Sequence, residues 1–294
     1  MVSEDGLRFW ATAPSDTEIT KCDNAVAAVR KAINAHAALA NREIRVFAQG
    51  SYCNRTNVRE DSDVDVCVLC SDSMFYDLPA GMSPAQFNLS VPAAYGYAQL
   101  KNDVGAALTS YFAKGHMTRG RKAFDIKENT YRIAADAVPC FVYKNLGQNP
   151  PLEGVAFVPD GLNASRIVNW PEQNYQNGVA KNTASGRRFK DMARILKRLC
   201  YRMKDGNIAA ANCAPSFLLE CLAYNVPYAT LCLDTYRAAV SESLRFLYHG
   251  TQNPLLCGGW TEVNEQKRLF EAGQPWTPTQ VNEFVVAGWQ YLEF

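Results

Sequence analysis

The stretch that decides the fold reads Phe47-Ala48-Gln49-Gly50-Ser51-Tyr52, followed after a polar interval by Asp63-Val64-Asp65-Val66-Cys67-Val68. Eleven residues separate Ser51 from Asp63, and the second half alternates acidic and apolar positions with the period of a half-buried strand. Residues i and i+2 of a strand point to the same face, so Asp63 and Asp65 are predicted to project side by side, about 6.6 Å apart. The valines between them would anchor the opposite face.

Two neighbouring carboxylates repel, and each raises the pKa of the other unless a cation lies between them. Mg²⁺ suits such a pair, because it prefers hard oxygen ligands and shares them with substrate phosphates. A third acid from a neighbouring strand would complete the set, and Asp136 in Ala134-Ala135-Asp136-Ala137-Val138 is the candidate. We therefore predict that Asp63, Asp65 and Asp136 are catalytic and hold paired Mg²⁺ ions, or Mn²⁺ in their place.

Gly50 and Ser51 supply the complementary part of this pattern. Glycine lets the backbone approach a phosphate closely, and the N–H groups and the Ser51 hydroxyl can then bind a triphosphate. The predicted chemistry is nucleotidyl transfer, an in-line attack on an α-phosphorus in which positioning and charge neutralisation supply most of the catalysis. A lone Asp-x-Asp or Gly-Ser motif is usually part of a solvated turn or strand face. Here the two motifs occur in this order and at this spacing, which favours a catalytic site.

Hydrophobic periodicity predicts an α+β protein, with a mixed sheet in the first half of the chain and helices in the second. A capping box at Ser15 and Glu18 begins a long helix predicted over 15–40. A stretch rich in Gly, Pro and Asn follows Leu146 and predicts a boundary between a nucleotidyltransferase core over 1–150 and a mainly helical lobe over 151–294. The other predicted strands and helices cover residues 44–48, 63–68, 93–112, 123–126, 131–142, 185–204, 215–220, 235–248 and 278–291.

Composition excludes several classes of protein. With 48% hydrophobic and 20% charged residues among 294, the chain can bury a sizeable core, which excludes global disorder. Its 30 basic and 29 acidic side chains argue against a broad basic field for duplex nucleic acid. No apolar run approaches about 18 residues, so no membrane-spanning helix is expected. Ten scattered cysteines and an N-terminus without a secretory pattern predict reduced thiols in a cytoplasmic protein.

Further motifs accompany the Gly-Ser and Asp-x-Asp core. They are Thr56-Asn57-Val58-Arg59, Ser62-Asp63, Ala135-Asp136-Ala137-Val138-Pro139-Cys140, Asn169-Trp170-Pro171-Glu172, Lys181-Asn182, Phe189-Lys190, Arg194-Ile195-Leu196-Lys197 and Ser216-Phe217-Leu218-Leu219-Glu220. Together they resemble the bacterial CD-NTases, the cGAS/DncV-like nucleotidyltransferases of the DNA polymerase β superfamily, over about 15–291. The core alone marks the superfamily, and the later motifs narrow the resemblance to the CD-NTases.

The resemblance implies a two-lobed polymerase β-like enzyme whose long N-terminal helix is a spine and whose helical C-terminal lobe completes the active-site cleft. It implies synthesis of a 3′,3′-type cyclic dinucleotide second messenger from NTPs and Mg²⁺, which signals to an effector in CBASS anti-phage defence. Asp63, Asp65 and Asp136 match the metal-binding triad of the family. Lys197 and Ser216 match its contacts with the donor triphosphate, and Phe217 matches the aromatic ring that stacks on the donor base. We predict that Lys181 also contacts substrate phosphates; the alternative is that its side chain lies on the surface without a ligand.

The family selects its bases with polar side chains located between the third acid and the triphosphate lysine. Asn169 falls in that interval, and a side-chain amide offers a donor and an acceptor that match the N3–H and O4 edge of uracil. We therefore predict that UTP is a substrate, with ATP or a second UTP, giving cyclic UMP-AMP or cyclic di-UMP. The alternative to base selection is that Asn169 only caps a turn before Pro171.

Several other readings of the sequence stay open. The same chemistry could serve another acceptor, such as an RNA 3′ end, a small molecule or a protein hydroxyl. A catalytically silent sensor that binds a ligand is a further alternative. The Cys67-Val68-Leu69-Cys70 spacing has no second pair to complete a zinc site, and nothing resembles the zinc-bearing DNA-binding insertion of human cyclic GMP-AMP synthase. We therefore expect no obligatory DNA and no membrane partner.

Overall fold

The computed structural model describes residues 2–58, 63–89, 91, 93–113 and 115–294. Of the motif residues quoted above, Arg59 and Ser62 lie outside this set. The chain divides into two compact units. The sheet unit comprises Ser15–Tyr52 and Ser62–Pro171, and the helical unit comprises Met1–Pro14, Cys53–Asp61 and Glu172–Phe294.

The secondary structure of the described residues follows an α+β order. The helices are α1 Glu4–Ala11, α2 Asp16–Asn34, α3 Ala37–Ala40, α4 Gly50–Cys53, α5 Tyr97–Tyr111, α6 Pro171–Ala184, α7 Arg188–Asp205, α8 Ser216–Asn225, α9 Tyr228–Leu231, α10 Tyr236–Gln252, α11 Pro254–Cys257 and α12 Pro278–Leu292. The strands are β1 Ile44–Gln49, β2 Val64–Asp77, β3 Met117–Arg119, β4 Phe124–Ile126, β5 Ala135–Asn145, β6 Leu152–Phe157 and β7 Ile167–Asn169. The predicted α+β class is confirmed.

The seven strands form one mixed sheet in which β5 is central. Its order is β1-β2-β5-β4-β3, with β6 also pairing with β5 and β7 with β6. Strands β2 and β5 run parallel, whereas the other pairs are antiparallel. Because β5 is long, its first residues pair with β4 while its last residues pair with β6.

The predicted domain boundary at 150/151 falls inside the connection between β5 and β6 rather than between the units. Those two strands pair as a hairpin, with Asn145 opposite Leu152, so the Gly- and Pro-rich stretch turns the chain within one sheet. The sheet unit continues to Pro171, and residues 1–14 and 53–61 belong with the helical unit. Turn-forming residues therefore mark a hairpin here, because they bend a chain equally well inside a unit and between units.

Alternation along β2 produces two faces, as the sequence predicts. Val64, Val66 and Val68 are fully buried and pack in one apolar cluster with residues of α2 and α5. The alternate positions Cys67 and Leu69 belong to a second cluster with residues of β5 and β6. Asp65 has the same parity as this second set, so its side chain points away from α2 and α5.

Helix α2 begins with the predicted capping box: the Ser15 hydroxyl accepts from the Glu18 N–H, and the Glu18 carboxylate accepts from the Ser15 N–H at 2.7 Å. The helix ends at Asn34, earlier than the predicted end at residue 40, and the short α3 follows it. Apolar residues at helical spacing line one side of α2; Cys22, Val26, Val29 and Ile33 are buried, and Ile19 is partly exposed. The proposed role of α2 as a spine stays a prediction.

Helix α7 organises the helical unit. Five apolar residues at helical spacing form a buried stripe along it: Phe189, Met192, Leu196, Leu199 and Met203. Basic side chains fill much of the rest of this helix, and three of them are buried as well: Arg194, Lys197 and Arg198 are 6%, 2% and 9% exposed. Arg194 and Arg198 donate to the backbone carbonyls of Ala11 and Phe9, so two of these charges hold the end of α1.

The remaining composition-based expectations concern membranes and cysteines. In the described part of the chain, we find no helix with both the length and the apolar character needed to cross a bilayer. All ten cysteines are free thiols, and most are buried. Burial raises the pKa of the Cys22 thiol to about 11 and that of Cys221 far above its usual range, as expected of structural thiols.

Candidate active site

The turn at Gly50 lies against the Asp65 side chain. Gly50 follows β1 directly and has a φ of +67°, a left-handed conformation that favours glycine. A Cβ atom built at this position would overlap the Asp65 carboxylate. The sequence predicted that Gly50-Ser51 and the acids belong together, and this packing supports that prediction for Asp65.

Three carboxylates form a row across three adjacent strands. The parallel register pairs Asp65 of β2 with Asp136 of β5, and the antiparallel register pairs Asp136 with Asp125 of β4. Directly paired residues share one face of a sheet, so the three side chains project together. Asp63 precedes the first residue of β2 and is exposed, so it belongs to the loop end rather than to the strand itself.

The electrostatics of the row centre on Asp136. Burial, followed by the charges of Asp125, Asp65 and Asp63, raises the pKa of the Asp136 carboxyl from 3.8 to about 7. The protonated carboxyl is further favoured by a hydrogen bond with Asp125. Asp136 therefore lies close enough to Asp63 and Asp65 for their charges to raise its pKa. This proximity is what the predicted set of three acids requires.

Asp125 is the acid that the sequence reasoning missed. It occupies the exposed position between two buried residues, Phe124 and Ile126, in a predicted strand. That alternation was visible in the sequence and would have placed Asp125 on one face of β4. Its register opposite Asp136 was not visible, because strand pairing over such short segments is set by the sheet and not by the strand.

The donor chemistry of the row fits a hard divalent cation, because carboxylate oxygens on neighbouring strands repel one another until a positive charge lies between them. As they stand, the side chains of the described residues include no group of three or more His, Cys, Asp or Glu spaced to hold a metal ion. Metal binding by Asp63, Asp65 and Asp136 therefore stays a prediction, supported by the shared face and by the raised pKa of Asp136.

Asn169 ends strand β7, where it pairs with Val155. Its position is fixed by close packing: a Cβ at Gly154 would lie 2.6 Å from the Asn169 carbonyl oxygen and 2.7 Å from the Trp170 ring. Trp170 is buried and meets the Tyr143 ring edge-on at 5.3 Å. Asn169 is half-buried at the end of an anchored strand, which suits a side chain that reads a ligand.

The two lysines predicted to contact phosphates are both buried on protein partners. Lys197 Nζ donates to the Thr56 carbonyl at 3.0 Å and forms an ion pair with Glu220 at 3.1 Å. Lys181 Nζ donates to the Val226 carbonyl at 2.8 Å and lies 4.0 Å from the centre of the Tyr228 ring. Burial lowers the pKa of the Lys181 ammonium. Both ammonium groups therefore have protein partners inside the helical unit, and their predicted contacts with phosphate stay predictions.

Ser216 and Phe217 begin helix α8. The Ser216 hydroxyl lies 3.1 Å from the Tyr201 hydroxyl, and the Phe217 side chain is 39% exposed beside the Trp276 ring. An exposed aromatic ring is the kind of group on which a base can stack, and the stacking role of Phe217 stays a prediction. These residues, together with Lys181 and Lys197, belong to the helical unit, whereas the acids, Gly50-Ser51 and Asn169 belong to the sheet unit.

Comparisons with known proteins identify relatives of this chain. Residues 176–293 match the family model of the cGAS/DncV-like nucleotidyltransferase C-terminal helical domain. The chain is 41% identical to a cyclic dipyrimidine nucleotide synthase CdnE from Legionella pneumophila, over 99% of this chain and 98% of that protein.

Two solved structures share the fold along nearly the whole chain. One is the Elizabethkingia meningoseptica CdnE cyclic dinucleotide synthase with GTP and Apcpp, at a TM-score of 0.83, 33% identity and 99% coverage of both chains. The other is the Rhodothermus marinus CdnE c-UMP-AMP synthase with Apcpp and Upnpp, at a TM-score of 0.85 and 27% identity, covering 100% of this chain and 98% of that one.

The raised pKa of Asp136 predicts a stabilising substitution. A carboxyl whose pKa is higher in the folded than in the unfolded chain reduces stability as pH rises between the two values, here from about 4 to about 7. Asp136→Asn should therefore raise the melting temperature at pH 8 in the presence of EDTA, by roughly 2–4 °C for about 1 kcal/mol after solvent screening. Thermal unfolding followed by circular dichroism measures this change.

Asp160 provides a control of opposite sign in the same unit. Hydrogen bonds from Arg119 and Lys101 hold the pKa of Asp160 below its usual value, so its charge stabilises the fold above that pKa. Asp160→Asn should lower the melting temperature at pH 8. A lower melting temperature for Asp136→Asn as well would contradict the repulsion at this row of acids.

Proposed function

This chain belongs to the cGAS/DncV-like nucleotidyltransferases (CD-NTases), a family of cyclic nucleotide synthases, and we propose that it makes a uridine-containing cyclic dinucleotide. The observation that carries the proposal is the pairing of Asp65 with Asp136 across parallel strands, beside a glycine that leaves room for the Asp65 carboxylate. In the proposed reaction, a 3′-hydroxyl attacks the α-phosphorus of an NTP and pyrophosphate leaves, twice, to close a 3′,3′-linked ring.

Asp63, Asp65 and Asp136 would hold Mg²⁺, which supplies charge neutralisation for the attacking and leaving oxygens. The strands of Asp65 and Asp136 pair in register, which places these two acids on one face of the sheet. The backbone N–H groups and hydroxyl at Gly50-Ser51 would bind and orient the triphosphate beside them. Ser216 would contact the donor triphosphate and Phe217 would stack on the donor base.

The choice of pyrimidine rests on two supports. The Legionella relative, 41% identical, is named for dipyrimidine products, and the Rhodothermus structure is that of a c-UMP-AMP synthase. Within this chain, Asn169 offers an amide at a fixed position at the end of β7, with the donor and acceptor that match uracil. We propose UTP as one substrate, with ATP or a second UTP as the other. The product would signal to an effector in cytoplasmic anti-phage (CBASS) defence.

The central test is incubation of the purified protein with all four NTPs and Mg²⁺, followed by mass spectrometry of the products. A phosphatase-resistant cyclic product that contains uridine, made without an added acceptor, is the expected result. Linear products only in the presence of RNA or a small acceptor would favour the acceptor-directed alternative.

Neutral replacement of the acids separates an enzyme from a silent sensor. The double substitution Asp63→Asn with Asp65→Asn should abolish pyrophosphate release, because both carboxylates are predicted to hold the metal, and should leave circular dichroism unchanged. Mg²⁺ should raise the melting temperature of the wild-type protein but not of this variant. Equal pyrophosphate release by the wild-type protein and the double variant would show that Asp63 and Asp65 are not catalytic.

Asn169→Ser tests base selection. Serine keeps a polar group, but its side chain is shorter and has one polar atom, so it does not present the separate C=O and N–H groups of an amide to the uracil edge. We expect the ratio of UTP to ATP incorporation to fall by about tenfold, the size of one to two lost hydrogen bonds. Competition between labelled UTP and ATP measures the ratio, and Asn163→Ser, in an exposed loop, is the control. An unchanged ratio would remove Asn169 from base selection.

A further inference from the structure

Strand β7 is short, yet it carries Asn169, the residue that we propose selects the base. The strand has three residues, Ile167–Asn169, and its partner among the described strands is β6. A strand of this length that pairs along one side has few backbone hydrogen bonds to hold it. The contacts of the side chains next to β7 therefore matter for where Asn169 points.

Strand register places Asn169 on the same face of the sheet as the acids. Asn169 pairs with Val155, and Val155 pairs with Val142 of β5. Val142 follows Asp136 by six residues of the same strand, an even number, so these two side chains point to one face. The apolar clusters agree with this alternation: one contains Val138, Cys140, Val142 and Val155, and another contains Ala135, Ala137 and Phe141.

The residues on either side of Asn169 lie on the opposite face, where they pack with Tyr143. Val168 packs against the buried cluster of Tyr143, Ala156 and Trp170. The Trp170 ring meets the Tyr143 ring edge-on, with the ring centres 5.3 Å apart. Tyr143 is 4% exposed, so a buried aromatic ring holds the end of β7 from the side away from the acids.

Arg166, the residue before β7, binds the start of the strand to the same ring. Its guanidinium carbon lies 5.1 Å from the centre of the Tyr143 ring and 5.6 Å from the centre of the Phe75 ring. Phe75 pairs directly with Tyr143, so both rings lie on one face. The guanidinium also donates to the Asp77 carboxylate at 2.5 Å and to the Tyr76 carbonyl at 3.4 Å.

Asp77 connects Arg166 to Tyr143. Its second carboxylate oxygen accepts from the Tyr143 hydroxyl at 2.7 Å. Burial raises the pKa of the Asp77 carboxyl, but the hydrogen bonds from Tyr143 and Arg166 outweigh burial, so the pKa lies below its usual value. Burial and the same hydrogen bond raise the pKa of Tyr143 to about 12. Arg166, Asp77 and Tyr143, called here the β7 clamp, thus form a closed set of contacts.

The β7 clamp restricts direction more than it stabilises the fold. The Arg166 and Asp77 side chains are 28% and 55% exposed, and an ion pair at this exposure contributes little to stability. A guanidinium that lies near two rings and donates to a carboxylate nevertheless has few orientations open to it, because it is planar and its donors have fixed directions.

We propose that Arg166 is a positioning residue that acts with Asp77 and Tyr143 to fix the direction of the Asn169 side chain, and thereby the preference for uracil over other bases. None of the three touches substrate in this assignment, because they lie on the face opposite Asn169. The effect on base selection rests on the proposed function, whereas the anchoring of β7 does not.

The test compares Arg166→Met with Arg42→Met. Arg42 is a matched control in the same unit: it pairs with Asp72 at 3.1 Å, lies 3.6 Å from the centre of the Tyr95 ring and has a side chain that is 33% exposed. Both variants should fold. Only Arg166→Met should lower the ratio of UTP to ATP incorporation, by about threefold to tenfold, the size of one weakened hydrogen bond. Equal ratios for the two variants would overturn the proposal.

A double variant shows whether Arg166 acts through Asn169. Once Asn169→Ser has removed the amide that the β7 clamp directs, adding Arg166→Met should leave the ratio of UTP to ATP incorporation unchanged. Independent effects would instead multiply. Competition between labelled UTP and ATP measures the ratio in the wild-type protein, the two single variants and the double variant. A double variant whose ratio equals the product of the two single effects would also overturn the proposal.

Amide hydrogen exchange provides a readout that needs no catalysis. The amides of residues 167–170 should exchange faster in Arg166→Met than in Arg42→Met or the wild-type protein, because β7 loses an anchor. If the wild-type protein makes a product without uridine, the proposed base choice fails, but faster exchange still supports the anchoring of β7. Equal exchange in all three proteins would overturn that anchoring.

Discussion

Repulsion between the Asp65 and Asp136 carboxylates is the constraint on which the sheet unit depends. Parallel pairing of β2 with β5 sets the two acids opposite each other, and Asp125 adds a third charge from β4. Burial and these charges raise the pKa of Asp136 to about 7, so the row reduces stability at neutral pH. Val64, Val66 and Val68, fully buried on the other face, offset that cost, since each contributes about 1.5–3 kcal/mol.

The same constraint explains why a glycine stands at position 50. The Asp65 carboxylate occupies the space that a side chain at this position would need, and the backbone there is left-handed. A turn that tolerates both conditions lies directly against the Asp65 carboxylate. Charge and close approach are therefore combined at one edge of the sheet, which is what a reaction on a triphosphate requires.

The helical unit uses its charges differently. Amphipathic periodicity alone would put every basic residue of α7 in water, yet Arg194, Lys197 and Arg198 hold backbone carbonyls of distant segments. A long cationic side chain can be buried when its charged group forms a hydrogen bond or ion pair with an acid or a backbone carbonyl. Glu220 and the carbonyls of Phe9, Ala11, Arg55 and Thr56 are those partners.

The α+β class, the capping box of α2, the apolar stripes of α2 and α7 and the Gly-Ser and Asp-x-Asp pattern could all be predicted from the sequence. These features depend on neighbours within a turn or a strand, and local periodicity encodes them. Only the tertiary structure decided that Asp125 joins Asp136, that the Gly- and Pro-rich stretch is a hairpin, and that Lys197 is paired with Glu220. Those outcomes depend on strand register and on contacts between residues far apart in sequence, which no local pattern records.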